Sequence, residues 1–109
     1  MKDKMKNVAF FSLNLKESYE NLKNDNKKLH HFITRAIDDL KENPFYGRQV
    51  KKKLIPKSLI KEYHLDNLWI YNLPSAWRLL YTLAGDEVRI VSVILDWMNH
   101  KDYERLFNF

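Results

Sequence analysis

The stretch Val88–Leu95 sets Val88, Ile90, Val91, Val93, Ile94 and Leu95 along both faces of an extended segment. A strand apolar on both sides needs cover on both sides, so this one should lie centrally in a sheet. Its partners precede it at short range. Asn67–Leu73 and Trp77–Ala84 read as strands, separated by the turn Pro74-Ser75-Ala76 and followed by the tight turn Gly85-Asp86. Farther upstream, weakly alternating Val8–Ser12 predicts an edge-like first strand, and Gln49–Ile55 predicts a short second strand that carries lysines.

The strongest helical signal is Leu29, Phe32, Ile33, Ala36, Ile37 and Leu40, spaced to form one apolar stripe. Asp25 or Asn26 can cap its start. Asn43-Pro44 ends it, because a residue before proline is pushed out of helical geometry. Asn14–Lys23 reads as a shorter helix with Leu15, Tyr19 and Leu22 facing inward, and the two helices should form an antiparallel hairpin. Pro56–Tyr63 predicts a helical turn with proline at its first position. A closing helix starts after Asn99, an N-cap that Asp102 completes in a capping-box-like pair, and runs to about Phe107. This order predicts an α+β domain. An N-terminal helical hairpin packs on one face of a mostly antiparallel, four- to five-stranded sheet, with a short C-terminal helix. The opposite face, or its rim, is then left for a ligand.

A chain of 109 residues makes one domain, residues 1–109, and can bury about two-thirds of its unfolded surface. With 45% hydrophobic residues it is globular rather than disordered. It has no cysteine, which excludes disulfides and thiolate metal sites and fits a reducing cytosol. The longest apolar run, Ile90–Leu95, is too short to cross a bilayer, and the start MKDKMKNVAFF lacks the apolar run of a secretion signal. The expectation is a soluble, cytoplasmic protein with no membrane partner. Nineteen Lys and Arg against fourteen Asp and Glu give a net charge of +5, and the charge is one-sided. From Arg48 to Lys61 there are six cationic side chains and no acidic one. Such a segment attracts polyanions by releasing their counterions, or an acidic protein partner, or merely keeps the protein soluble.

Three side chains can carry chemistry. His100 opens the last helix, where the positive end of the dipole disfavours a second positive charge, so a neutral imidazole can accept a proton. Tyr103, three residues on, lies on the same side, with a hydroxyl that can relay a proton and a ring that can stack on a base. Arg78 points to the sheet face opposite Trp77 and Leu79, and its fork suits two phosphate oxygens at once. Taken singly, each has a plainer reading. A histidine at a helix start is commonly a surface group, and a strand arginine commonly stacks on a tryptophan or pairs with a carboxylate such as Asp96 or Glu87. His30, His31 and His64 lack ligand spacing and should face solvent or a partner, while Trp69, Tyr71, Trp77 and Trp97 should be half core and half rim. No glycine-rich phosphate loop, HExxH or GxSxG pattern occurs.

With these residues placed, the chain resembles the RelE/ParE superfamily of toxins from type II toxin–antitoxin modules. The resemblance runs from about Val8 to Phe109 and is carried by LKENPFYG, NLWIYNLPSAWRLLYT and VILDWMNHKDYERLF. It implies a RelE-like fold and a metal-independent endoribonuclease without a cofactor, which cleaves messenger RNA on the ribosome. The ribose 2′-hydroxyl attacks the adjacent phosphate, leaving a cyclic phosphate and a free 5′-hydroxyl. By that resemblance Arg78 stabilises the pentacoordinate phosphate, Tyr103 matches a functional tyrosine near the C-terminus, and His100 serves as base or acid. Arg48, Lys51, Lys52, Lys53 and Lys57 would hold messenger or ribosomal phosphates, and an acidic antitoxin would be the protein partner. The chain departs from the pattern where RelE-like enzymes often carry lysines on the strand before the arginine; Trp69 and Tyr71 stand there. Two other readings stay open: a ParE-like toxin that inhibits a DNA topoisomerase without cutting, and a degenerate module that only binds an antitoxin.

Overall fold

The computed structural model describes residues 7–86 and 88–108. Five strands form one sheet: β1 (Val8–Phe10), β2 (Arg48–Gln49), β3 (Trp69–Asn72), β4 (Trp77–Gly85) and β5 (Ile90–Asn99). The helices are α1 (Leu13–Asp25), α2 (Lys27–Glu42), α3 (Lys57–Tyr63) and α4 (His100–Phe107). The sheet order is β1-β5-β4-β3-β2; β1 runs parallel to β5 and every other pairing is antiparallel. The α+β architecture expected from the sequence is therefore present. So is the interior position of the doubly apolar strand, between β1 and β4. That strand begins later than Val88, which is 94% exposed in the preceding turn, and it continues four residues past Leu95.

The hairpin of α1 and α2 forms as its caps require. Ser12 accepts from the Leu15 amide at 3.1 Å, and Asn26, rather than Asp25, accepts from the Leu29 amide at 3.2 Å. Helix α2 buries Leu29, Ile33, Ala36, Ile37 and Leu40 against Val8, Leu79, Tyr81 and Ile94. Helix α1 buries no residue fully; Leu15, Tyr19 and Leu22 pack on this core from outside.

Of the two places expected for a ligand, the opposite face of the sheet and its rim, the face itself is covered. Ile70, Leu80 and Leu95 project there and are covered by Val50, Ile55, Leu59 of α3 and Tyr103 of α4, forming a second core. Three apolar side chains on a sheet face need burial as much as a helix stripe does. Only the rim stays open. The expected lysine-bearing strand Gln49–Ile55 also shrinks to β2. Arg48 pairs with Ile70 and Gln49 with Trp69, after which the chain leaves the sheet and Lys52–Leu54 form a 3-10 turn. Three consecutive lysines cannot alternate into a covered face, and Pro56 lacks a ladder donor. Pro56 itself sits one position before α3, as its cap.

A register shift separates Leu80↔Asp96 from Tyr81↔Ile94, so β5 holds one extra residue there. Because side chains alternate, that single residue decides faces: Ile94 and Trp97 both pack with the hairpin, while Leu95 and Met98 both pack on the second core. Among the described residues, no helix is long and apolar enough to cross a membrane.

Candidate functional site

The turn Pro74–Ala76 delivers Arg78. Ser75 and Ala76 both adopt left-handed backbone, with φ of 60° and 63°, and the Leu73 amide closes the turn on the Trp77 carbonyl at 2.9 Å. Such conformations are costly for residues with a Cβ and persist where the surroundings impose them. Beyond the turn, Arg78 stands opposite Asn72 on one side and Met98 on the other. The β5 chain then passes directly into α4 through Asn99, whose side chain accepts from the Asp102 amide at 2.9 Å. The cap predicted from sequence thus sets His100 and Tyr103 beside the start of β4.

The three candidate groups converge. Arg78 Nη2 lies 3.3 Å from His100 Nδ1, and the Arg78 guanidinium sits over the Tyr103 ring at 5.3 Å from its centroid. Arg78 Nη1 donates to the Trp77 carbonyl at 3.2 Å, while its Nε is buried without a hydrogen-bond partner. Arginine only donates, so Nδ1 of His100 must be the acceptor and Nε2 the protonated nitrogen. Nε2 in turn lies 3.0 Å from Glu104 Oε2. Imidazole orientation and tautomer are therefore set from both sides.

Two of the plainer readings of Arg78, a stack on a tryptophan and a pair with Asp96, do not describe it. It stacks on Tyr103 rather than a tryptophan, and Asp96 Oδ1 instead accepts from the Trp97 amide at 2.8 Å. Glu87 lies outside the described residues. Burial, above all, raises the Asp96 carboxyl above its ordinary range, the Trp97 amide opposes this, and nearby Glu62 adds to it.

Arg48 joins the cluster from β2. Its Nη2 donates to the Tyr103 hydroxyl at 2.8 Å, and its guanidinium lies 5.9 Å from the same ring. Tyr103 is 4% exposed, with Phe107 packed against it at 4.7 Å, so its ring is a platform for two guanidinium groups and not an open face for a base. This corrects the stacking role expected for it; the hydroxyl stays at the site. A groove of about 220 Å³ opens here, lined by Arg48, Gln49, Val50, Lys51, Leu54, Tyr103 and Phe107. Of the four lysines singled out from the sequence, Lys51 reaches this groove. Lys52 and Lys53 are exposed on the turn and Lys57 on the first residue of α3.

His31 and His64 are exposed as expected, but His30 is half-buried, its ring stacked on Tyr19 at 4.5 Å. Burial lowers its pKa, with Lys23 and His31 adding to the effect. Trp69, Tyr71, Trp77 and Trp97 are all partly buried at the edge of the hairpin-side core, as expected. Among the described residues, no cluster of three or more His, Cys, Asp or Glu side chains could hold a metal ion. Glu104 and the close involvement of Arg48 escape sequence reading. The His100-x-x-x-Glu104 spacing is a usable signal for the first; nothing local marks the second, which depends on where β2 pairs.

No family model, no curated protein and no solved structure matches this chain.

Proposed function

We propose that this protein is a RelE-like toxin of a type II toxin–antitoxin module, a metal-independent endoribonuclease that cuts messenger RNA on the ribosome and so inhibits translation. The observation that carries the reading is the approach of Arg78 to His100 Nδ1 at 3.3 Å over the Tyr103 ring. A guanidinium, an imidazole with a defined tautomer and a phenol hydroxyl meet on an open rim of a basic protein.

In the proposed reaction a phosphate draws the Arg78 guanidinium onto two of its oxygens, which also offers a partner to the unsatisfied Nε. His100 Nδ1, released from Arg78, takes the proton of the ribose 2′-hydroxyl. The 2′-oxygen forms a bond to phosphorus, the bond from phosphorus to the 5′-oxygen breaks, and that leaving oxygen takes a proton from solvent water. The imidazolium that forms is stabilised by Glu104 on its other nitrogen. Arg78 stabilises the charge of the pentacoordinate phosphorus. Tyr103 holds the Arg48 and Arg78 guanidinium groups in place, and Arg48, Lys51, Lys52, Lys53 and Lys57 bind neighbouring phosphates. In the cytoplasm an acidic antitoxin covers this rim.

The test is a translation reaction containing purified protein, with 5′ ends of the message mapped. Cuts leaving 2′,3′-cyclic phosphate, lost in His100→Ala and in Arg78→Ala with folding intact, are expected. Unchanged cutting by both variants would refute the site; inhibition of a DNA topoisomerase with intact message would refute the nuclease.

A further inference from the structure

Strand β2 stops short of its neighbour. Arg48 pairs with Ile70, so Tyr71 and Asn72 of β3 run on past it. A cleft of about 240 Å³ opens at that step in the edge, lined by Tyr46, Gly47, Arg48, Ile70, Tyr71 and Asn72. One wall is the Tyr46 ring, 56% exposed and stacked on Tyr71 at 5.4 Å and 22°. Tyr71 is itself pinned, because its hydroxyl donates to Asp39 of α2. An exposed ring backed by a fixed second ring is a preorganised stacking surface, loses little freedom on contact, and suits any base.

The cleft adjoins the cluster described above. Asn72 is exposed and stands directly across from Arg78 on the second-core face, about one strand spacing (~4.8 Å) away, whereas Tyr71, paired with Leu79, belongs to the hairpin face, so the cleft spans the free edge of β3. Arg48 lines this cleft and also the groove that holds Lys51 and Tyr103, so one cation separates the two hollows. Aromatic wall, amide and flanking guanidinium are what an unpaired nucleoside needs: a face to stack on, an edge partner and a phosphate partner.

We infer that this cleft holds one unstacked base of single-stranded RNA, whose adjoining phosphate lies on Arg48. The inference rests on the proposed ribonuclease reading and adds to it a binding subsite: Tyr46 stacks on the base, Asn72 meets its edge, and Arg48 fixes the backbone between this base and the next. An acidic peptide would use Arg48 but has no need of the ring.

The experiment measures binding of a short, fluorescently labelled, 2′-O-methylated single-stranded RNA, which cannot be cut, across a salt series. Tyr46→Ala should weaken binding about 5- to 150-fold, the equivalent of about 1–3 kcal/mol for one stacked base, with the salt slope unchanged. Tyr46→Phe should bind like the parent, and Asn72→Ala should also weaken binding. Lys53→Ala should instead lower the slope. Tyr46→Ala binding RNA as tightly as the parent would overturn the subsite alone. Equal weakening of an oligoglutamate of the same charge would overturn it as a base site. Failure of the parent to bind any RNA would remove the ribonuclease reading together with the subsite.

Discussion

The Arg48 guanidinium donates to the Tyr103 hydroxyl at 2.8 Å, joining the edge strand β2 to the closing helix across 55 residues of chain. One end of that bond depends on a glycine. A Cβ on Gly47 would stand 2.6 Å from the Ile70 carbonyl oxygen and 2.8 Å from the Tyr81 hydroxyl, closer than real contacts allow. Gly47→Ala should therefore push β2 off β3 and carry Arg48 away from Tyr103. The expected cost is about 1–3 kcal/mol by denaturant unfolding, with RNA affinity reduced.

The Tyr81 hydroxyl, fully buried, donates to the Pro44 carbonyl and accepts from the Gly47 amide, each at 2.9 Å. It ties the end of the hairpin to the start of β2. Tyr81→Phe leaves both backbone groups without that partner and should destabilise the fold by about 1–3 kcal/mol. A midpoint of urea unfolding equal to that of the parent would contradict this.

Glu104 and His100 are both about half exposed, so their pair adds little stability. Its effect should appear in cleavage. Glu104→Ala should lower the rate about 10- to 100-fold through loss of imidazole orientation, less than His100→Ala does. In a His100→Ala background the same change should add nothing, which a double-mutant cycle on single-turnover rates measures.

Arg78→Lys keeps the charge but removes the fork. Cleavage should fall about 100- to 1000-fold, as when one preorganised charge-stabilising donor is lost, while the unfolding midpoint moves little. Rates near the parental value would mean that a point charge suffices.

Asp96 gives a pH signature. Its carboxyl is raised in the folded state, so between its ordinary range and that raised value the folded chain binds the extra proton. Stability should thus fall as pH rises from the ordinary carboxylate range through the raised value, above which the full cost applies. Asp96→Asn retains an acceptor for the Trp97 amide and should unfold at a higher temperature than the parent at pH 7. The gain should shrink as pH drops into the ordinary carboxylate range; thermal melts across that range check the sign.

Local patterning alone determined the hairpin, the hairpin turn before Arg78, the Asn99 cap and the interior place of β5, because spacing, caps and proline act within a few residues. It also named Arg78, His100 and Tyr103, since the Asn99 cap fixes where α4 begins. Three things were decided only by tertiary pairing. The second sheet face is covered because distant apolar residues needed burial there. The lysine segment left the sheet after Gln49 because three consecutive lysines cannot alternate into a covered face, while Val50 and Ile55 at its ends fold onto that face. Arg48, Glu104 and Asn72 gained their neighbours from strand register and helix packing, which bring together groups that no short stretch of sequence relates.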